Sequence, residues 1–199
     1  MSADVQAFIA HRQDQGASNG EIGRELAALK RMFNLAMQAE KITRKPYIPT
    51  LAEDNVRQGF FERPEFEAIL ARLPDWLRPP ASFCYQVGWR MRAEVLHLTW
   101  RQVDLEAGTV RLEVGSTKNK DGRLIYLPAF LRDVLESQWQ DHIDHYPDCP
   151  YVFHRRGKRI RYPYVAWRKA CREAGLTGKI PHDFRRTAVR NMVRAGIPE

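Results

Sequence analysis

The sequence predicts a mainly α-helical protein with a small antiparallel β-sheet, an α+β chain in two parts, and three observations lead there. Apolar residues recur at three- and four-residue spacing along most of the 199 residues. One stretch, residues 109–127, alternates instead, around an Asp121-Gly122 turn. Hydrophobic residues make up 44% of the chain, with 9 Phe, 7 Tyr and 5 Trp, enough to bury a core, and no run approaches the roughly 18 apolar residues that span a bilayer. The N-terminus lacks a charged-then-apolar signal segment. The three cysteines, Cys84, Cys149 and Cys171, are widely spaced without a CxxC pair. Reduced thiols and a soluble, cytoplasmic protein with no membrane partner are therefore expected.

In chain order, Val5, Phe8, Ile9 and Arg12 at helical spacing predict a helix over about 4–13, and Gly16 marks the loop after it. Ser18 with Glu21 forms a capping box that opens a second helix to about residue 40, with Ile22, Leu26, Leu29, Phe33 and Met37 in one stripe. Two helices bury little surface alone, so this hairpin is expected to belong to a larger helical domain whose N-terminal part lies outside the chain. Residues 1–45 form this first part. Residues 46–59, with Pro46, Pro49 and mixed charges, read as a linker, and 60–199 as the second part. Pro64 suits a first helical turn, ahead of Phe66, Ile69, Leu70 and Leu73. Further helices are expected over about 79–88 and 91–98, with His97 and Trp100 in the core. A hairpin of Thr109–Val114 with Leu124–Leu127 follows, then helices over about 129–144, 162–174 and 183–195.

Charge is distributed unevenly. The net charge is +8, yet residues 151–199 alone hold 13 Lys and Arg against 3 Asp and Glu. A surface of that density suits a polyanion, because each cation placed at a phosphate releases condensed counterions. Arg155, Arg156, Lys158, Arg159 and Arg161 form the densest run, beside Tyr162 and Tyr164. A solvated turn is the ordinary reading of such a run; beside DNA it positions the duplex through its phosphates. Arg24, Lys30 and Arg31 lie off the apolar stripe of the second helix and suit the other side of a DNA clamp.

Three segments offer polar side chains where a core would want none. In Gly88-Trp89-Arg90-Met91-Arg92-Ala93-Glu94, the glycine turns the chain, Arg90 can point out and Glu94 can orient its guanidinium for a phosphate. In the hairpin tip Ser116–Arg123, Lys118 can reach a leaving group and Lys120 a phosphate. In Pro181-His182-Asp183-Phe184-Arg185-Arg186-Thr187, His182 and Arg185 share one face of a helix start, where free amides and the macrodipole favour anions. Alone, these segments also read as a surface ion pair, an exposed tip and a capping histidine. His142, His145, Cys149 and His154 match no common zinc spacing, and no carboxylates cluster for two-metal chemistry, so neither metal nor cofactor is expected.

The order Gly-x-Arg…Glu, hairpin lysine, His-x-x-Arg resembles the tyrosine recombinase (phage integrase) family, from Ser18 to the last residue. The resemblance implies a recombinase-like catalytic domain behind part of a helical core-binding domain. It implies site-specific DNA integration and recombination, as by a phage or mobile element, through a 3′-phosphotyrosine intermediate on double-stranded DNA, with subunits assembling as a homotetramer. It maps the first arginine to Arg90, the lysine to Lys118, and the histidine and second arginine to His182 and Arg185. Glu94 follows Arg90 by four residues where three is usual, so Arg92 competes for the first role. The nucleophilic tyrosine is expected beyond residue 199, since all seven tyrosines precede His182. A DNA-binding remnant or regulator that does not cleave is the alternative.

Overall fold

The computed structural model describes residues 2–53, 59–115 and 122–197 and divides into two compact units, residues 1–58 and 59–199. In the first, α1 (Ser2–Asp14) and α2 (Asn19–Gln38) form an antiparallel hairpin turned at Gly16. The capping box forms as expected: Ser18 Oγ accepts the Glu21 N–H at 3.3 Å, and Ser18 N–H donates to Glu21 Oε2 at 2.9 Å. Val5, Ile9, Ile22 and Leu26 are buried, with Leu29 and Phe33 partly so, whereas Met37, at the end of the stripe, is exposed. Ile48 is buried in the same cluster and Leu51 packs against it, so part of the proline-containing stretch covers the hairpin. Arg12 clasps Glu25 with two 2.9 Å hydrogen bonds.

The second unit holds α3 (Arg63–Arg72), α4 (Arg78–Val87), β1 (Val103–Asp104), β2 (Thr109–Leu112), β3 (Arg123–Tyr126), α5 (Ala129–His145), β4 (His154–Arg155), β5 (Lys158–Arg159), α6 (Tyr164–Glu173) and α7 (Asp183–Arg194). α3 packs on α6 and α4 on α7 around Phe61, Phe66, Tyr85, Trp167 and Phe184, whose rings meet edge-on or tilted, except that Phe66 and Tyr85 stack at 3.8 Å. The antiparallel sheet runs β1-β2-β3, with Val110 opposite Ile125 and Leu112 opposite Arg123. Val110 and Leu112 are buried, so their partners Ile125 and Arg123 share the inner face, while Leu124 and Tyr126 face out.

The segment that opens this unit lies along α7. Phe61 N–H donates to the buried Thr187 Oγ1 at 2.8 Å, Arg190 donates to Phe61 O at 2.9 Å and pairs with Glu62 at 2.5 Å. A Cβ on Gly59 would stand 2.7 Å from the Asp183 carboxyl carbon.

Three expectations need correction. Residues 91–98 form turns and a short 3₁₀ segment, Val95–His97, not an α-helix. Glu94 turns its carboxylate back onto the Arg90 N–H, and Leu98–Trp100 extends beside Pro150–Val152, with Val152 N–H bonded to Leu98 O at 2.9 Å and Trp100 N–H to Pro150 O at 3.1 Å. That geometry turns His97 out to solvent, and Trp100 is only partly buried. β2 stops at Leu112, leaving Val114 exposed. No helix among the described residues is long and apolar enough to cross a membrane.

Candidate functional site

Three stretches of the second unit meet at the end of α4. Gly88 closes that helix in the left-handed conformation, φ +73°, its N–H bonded to Cys84 O. A Cβ there would stand 2.9 Å from the Ala188 Cβ on α7, so glycine serves both the turn and the helix contact. Trp89 then enters the core, its ring 5.6 Å from Phe83, and fixes the direction in which Arg90 leaves.

Glu94 is the buried organiser, 3% exposed. Its Oε2 accepts the Arg90 backbone N–H at 2.7 Å and its Oε1 accepts Arg90 Nη1 at 2.8 Å. The four-residue spacing is thus the span of a turn in which one carboxylate holds both ends of Arg90. Arg92 lies on the exposed side of that turn. Arg123 Nη1 approaches the same Glu94 Oε1 from β3, at 3.5 Å.

From α7, Arg185 Nη1 donates to Gly88 O at 3.3 Å. Burial first, and then the positive fields of Arg90 and Arg123, hold its guanidinium below the ordinary value, with Glu94 opposing. Arg90 and Arg123 thus pair with Glu94 while Arg185 feels the fields of all three, an excess of positive charge that suits an anion with several oxygens. The start of α7 is locked from behind: Asp183 accepts the Ile180 N–H at 2.9 Å, Phe184 is fully buried, and Thr187 Oγ1 donates to Asp183 O at 2.8 Å. His182 stands at the cap of α7, solvent-exposed, three residues before Arg185. Lys118 and Lys120 lie outside the described residues.

The basic run forms a second feature. β4 and β5 pair through a turn whose central residues, Arg156 and Gly157, both have positive φ, +53° and +72°. Arg155, Arg156, Lys158, Arg159 and Arg161 are all exposed, and the Arg155 guanidinium sits 5.0 Å from the Trp76 ring centre. Beneath them the buried His154 accepts the Gly157 N–H at Nδ1, 3.3 Å, and packs edge-on against Tyr146. Burial lowers the His154 pKa, and Asp141 Oδ2, 3.7 Å from Nε2, opposes that. In the first unit, Arg24, Lys30 and Arg31 are exposed on α2.

Sequence reasoning brought Arg90, Glu94, His182 and Arg185 forward, gave Arg123 no role of its own in the hairpin tip, and weighed His154 only as a zinc ligand. The signal for Arg123 was a charged residue at the inward position of an alternating strand. His154 had none beyond its place ahead of the basic run.

The phage integrase family model matches residues 60–199. The Integrase of Salmonella phage P22 is 25% identical over 187 residues, covering 87% of this chain and 47% of that protein, so the chain spans about half the length of this relative. The fold is that of the Tn1549 transposon integrase in complex with transposon right end DNA, with TM-score 0.78, 15% identity and coverage of 99% of this chain and 74% of that one. It is also that of lambda integrase, as a dimer bound to a COC' core site, TM-score 0.77, 15% identity, 98% of this chain and 74% of that one. The lambda tetramer bound to a Holliday junction gives TM-score 0.75 at 15% identity, 98% of this chain and 58% of that one.

Proposed function

This chain belongs to the phage integrase family, and from that premise we propose that it is part of a site-specific DNA recombinase working by phosphoryl transfer through a 3′-phosphotyrosine. The observation that carries the reading is the meeting of Arg90 and Arg185, 95 residues apart, around Glu94 and the Gly88 carbonyl. Arg90 and Arg185 hold the non-bridging oxygens of the scissile phosphate, where charge builds as the five-coordinate transition state forms. Oriented by hydrogen bonds already made, they need little rearrangement on binding. His182, exposed at the helix cap beside them, moves a proton, and Lys118 protonates the departing 5′ oxygen. The attacking tyrosine lies beyond residue 199, because all seven tyrosines of the sequence precede His182. The covalent phosphotyrosine conserves the bond energy, so the reaction needs no cofactor.

Residues 1–45 act as part of a core-binding domain, 46–59 as a linker and 60–199 as the body of the catalytic domain. Arg24, Lys30 and Arg31 grip backbone phosphates from the first part, and Lys120, Arg155, Arg156, Lys158, Arg159 and Arg161 from the second. The DNA-bound dimer and tetramer of lambda integrase support an oligomer on duplex DNA.

The test uses the polypeptide extended through its reading frame past Glu199, on duplex DNA carrying a nick that traps the covalent intermediate. A protein–DNA adduct resistant to denaturation is expected, and Arg185→Ala should abolish it while most DNA affinity remains. An unchanged adduct yield in that variant overturns the role of Arg185. Duplex binding without any adduct favours a DNA-binding regulator.

A further inference from the structure

We propose that Arg123 is a third guanidinium of the phosphate site, contacting the phosphate itself beside Arg90 and Arg185. The inference rests on the phosphate-binding reading of that site and extends it to a residue on the sheet.

The strand register supplies the first ground. Arg123 lies opposite Leu112 on the inner face of the β2–β3 pair, where its neighbours Val110 and Leu112 are buried. An alternating strand places apolar side chains there, and a cation at that position has to be stabilised by a specific partner. Its side chain is only 25% exposed.

Glu94 does not complete that partnership. Both of its oxygens are engaged by Arg90, at 2.7 and 2.8 Å, and Arg123 stands off at 3.5 Å as a long ion pair. A guanidinium carries five donors in a rigid fork. Among the described residues none of those of Arg123 makes a hydrogen bond within normal length. Arg185 meanwhile is held by a single 3.3 Å bond to Gly88 O and feels the repulsion of both Arg90 and Arg123. Among the described residues, three guanidinium groups that share the field of one carboxylate leave a surplus of two positive charges, all on partly buried side chains. An entering phosphate relieves that repulsion and offers enough lone pairs to occupy all three forks. If Arg123 merely balanced Glu94, a close bidentate pair would be the better arrangement.

The test is a titration of the ¹⁵N-labelled chain with inorganic phosphate at constant ionic strength, following the arginine Nε–Hε resonances, each assigned by its Arg→Lys variant. The resonances of Arg90, Arg123 and Arg185 should shift along one common isotherm. Arg123→Gln should raise the dissociation constant read at Arg90 and Arg185 by about tenfold, the worth of one charge-assisted contact. Arg123→Lys should recover part of that loss. The proposal is overturned if Arg90 and Arg185 respond while Arg123 is silent, or if Arg123→Gln leaves their isotherm unchanged. A uniform drift of all arginines marks adventitious screening and also overturns it. If none of the three responds, the phosphate-site reading itself fails. The wild-type titration decides the matter even if the Gln variant does not fold.

Discussion

Replacing Gly88 by alanine tests the contact that brings α7, and with it Arg185, onto the end of α4. The backbone at φ +73° costs an L-residue about 1–2 kcal/mol. The new methyl lands 2.9 Å from the Ala188 Cβ, a neighbour that cannot swing aside, so the helices must separate at a further cost of about 1–3 kcal/mol. The expected loss is therefore about 2–5 kcal/mol. Urea unfolding followed by tryptophan fluorescence measures it cleanly, because Trp76, Trp89, Trp100, Trp139 and Trp167 all lie in the second unit. Ala188→Gly alone should cost about 1 kcal/mol, as glycine does inside a helix. In the double variant the clash disappears and the backbone strain stays, giving a favourable coupling of about 1 kcal/mol or more. A Gly88→Ala cost below about 1 kcal/mol, or a strictly additive double variant, would refute the reasoning.

The remaining predictions concern groups buried around the site and the basic turn. Thr187→Val keeps the shape but leaves the Phe61 N–H without its acceptor, so unfolding should become easier by about 1–3 kcal/mol, and a variant as stable as wild type sinks the assignment. Burial holds His154 below the ordinary imidazole value of 6.5, so the unfolded chain takes up the proton first. Its contribution is fully present above pH 6.5 and is lost as the pH falls below that toward the depressed folded value. His154→Gln should reduce the stability–pH slope in that window by up to one proton, and an unaltered slope contradicts this. Burial pushes Cys171 up to about 11 and Cys84 well above its ordinary value. At pH 8 about one Cys171 in a thousand is thiolate, so iodoacetamide should modify neither residue quickly without denaturant, and rapid labelling of either in the folded protein disproves that burial.

What was legible in the sequence was what local chemistry decides. The stripe from Ile22 to Phe33 and the Ser18–Glu21 box need only neighbours within a few residues, and α2 begins where they predict. The alternation on either side of Asp121-Gly122 was enough to pair β2 with β3. Residues 91–98 misled because their apolar spacing is helical, while the geometry is decided by the Glu94 carboxylate and by pairing with Pro150–Val152, some fifty residues away. β1, β4 and β5 have two residues each, too few to show a period. Arg90, His182 and Arg185 could be singled out by residue type and spacing. The convergence of Arg90 and Arg185 could not be derived locally, since it depends on how α4 meets α7, and it was anticipated through resemblance. Arg123 stayed hidden because its inward direction follows from register with Leu112.

The bonds that fasten residues 59–62 to α7 also set a timetable. Phe61 is tied to Thr187 across 126 residues and to Arg190 across 129. Loops of that size close late, since the entropy of closure must be overcome before any contact rewards it. On a ribosome adding about 5–20 residues per second, Phe61 waits on the order of ten seconds for its partner to be made. Its ring, wholly buried in the finished fold, stays open to misassociation during that interval. The helix that ends the wait is the one that delivers Arg185, so a nascent chain brings Arg185 to the Gly88 carbonyl only as its core closes.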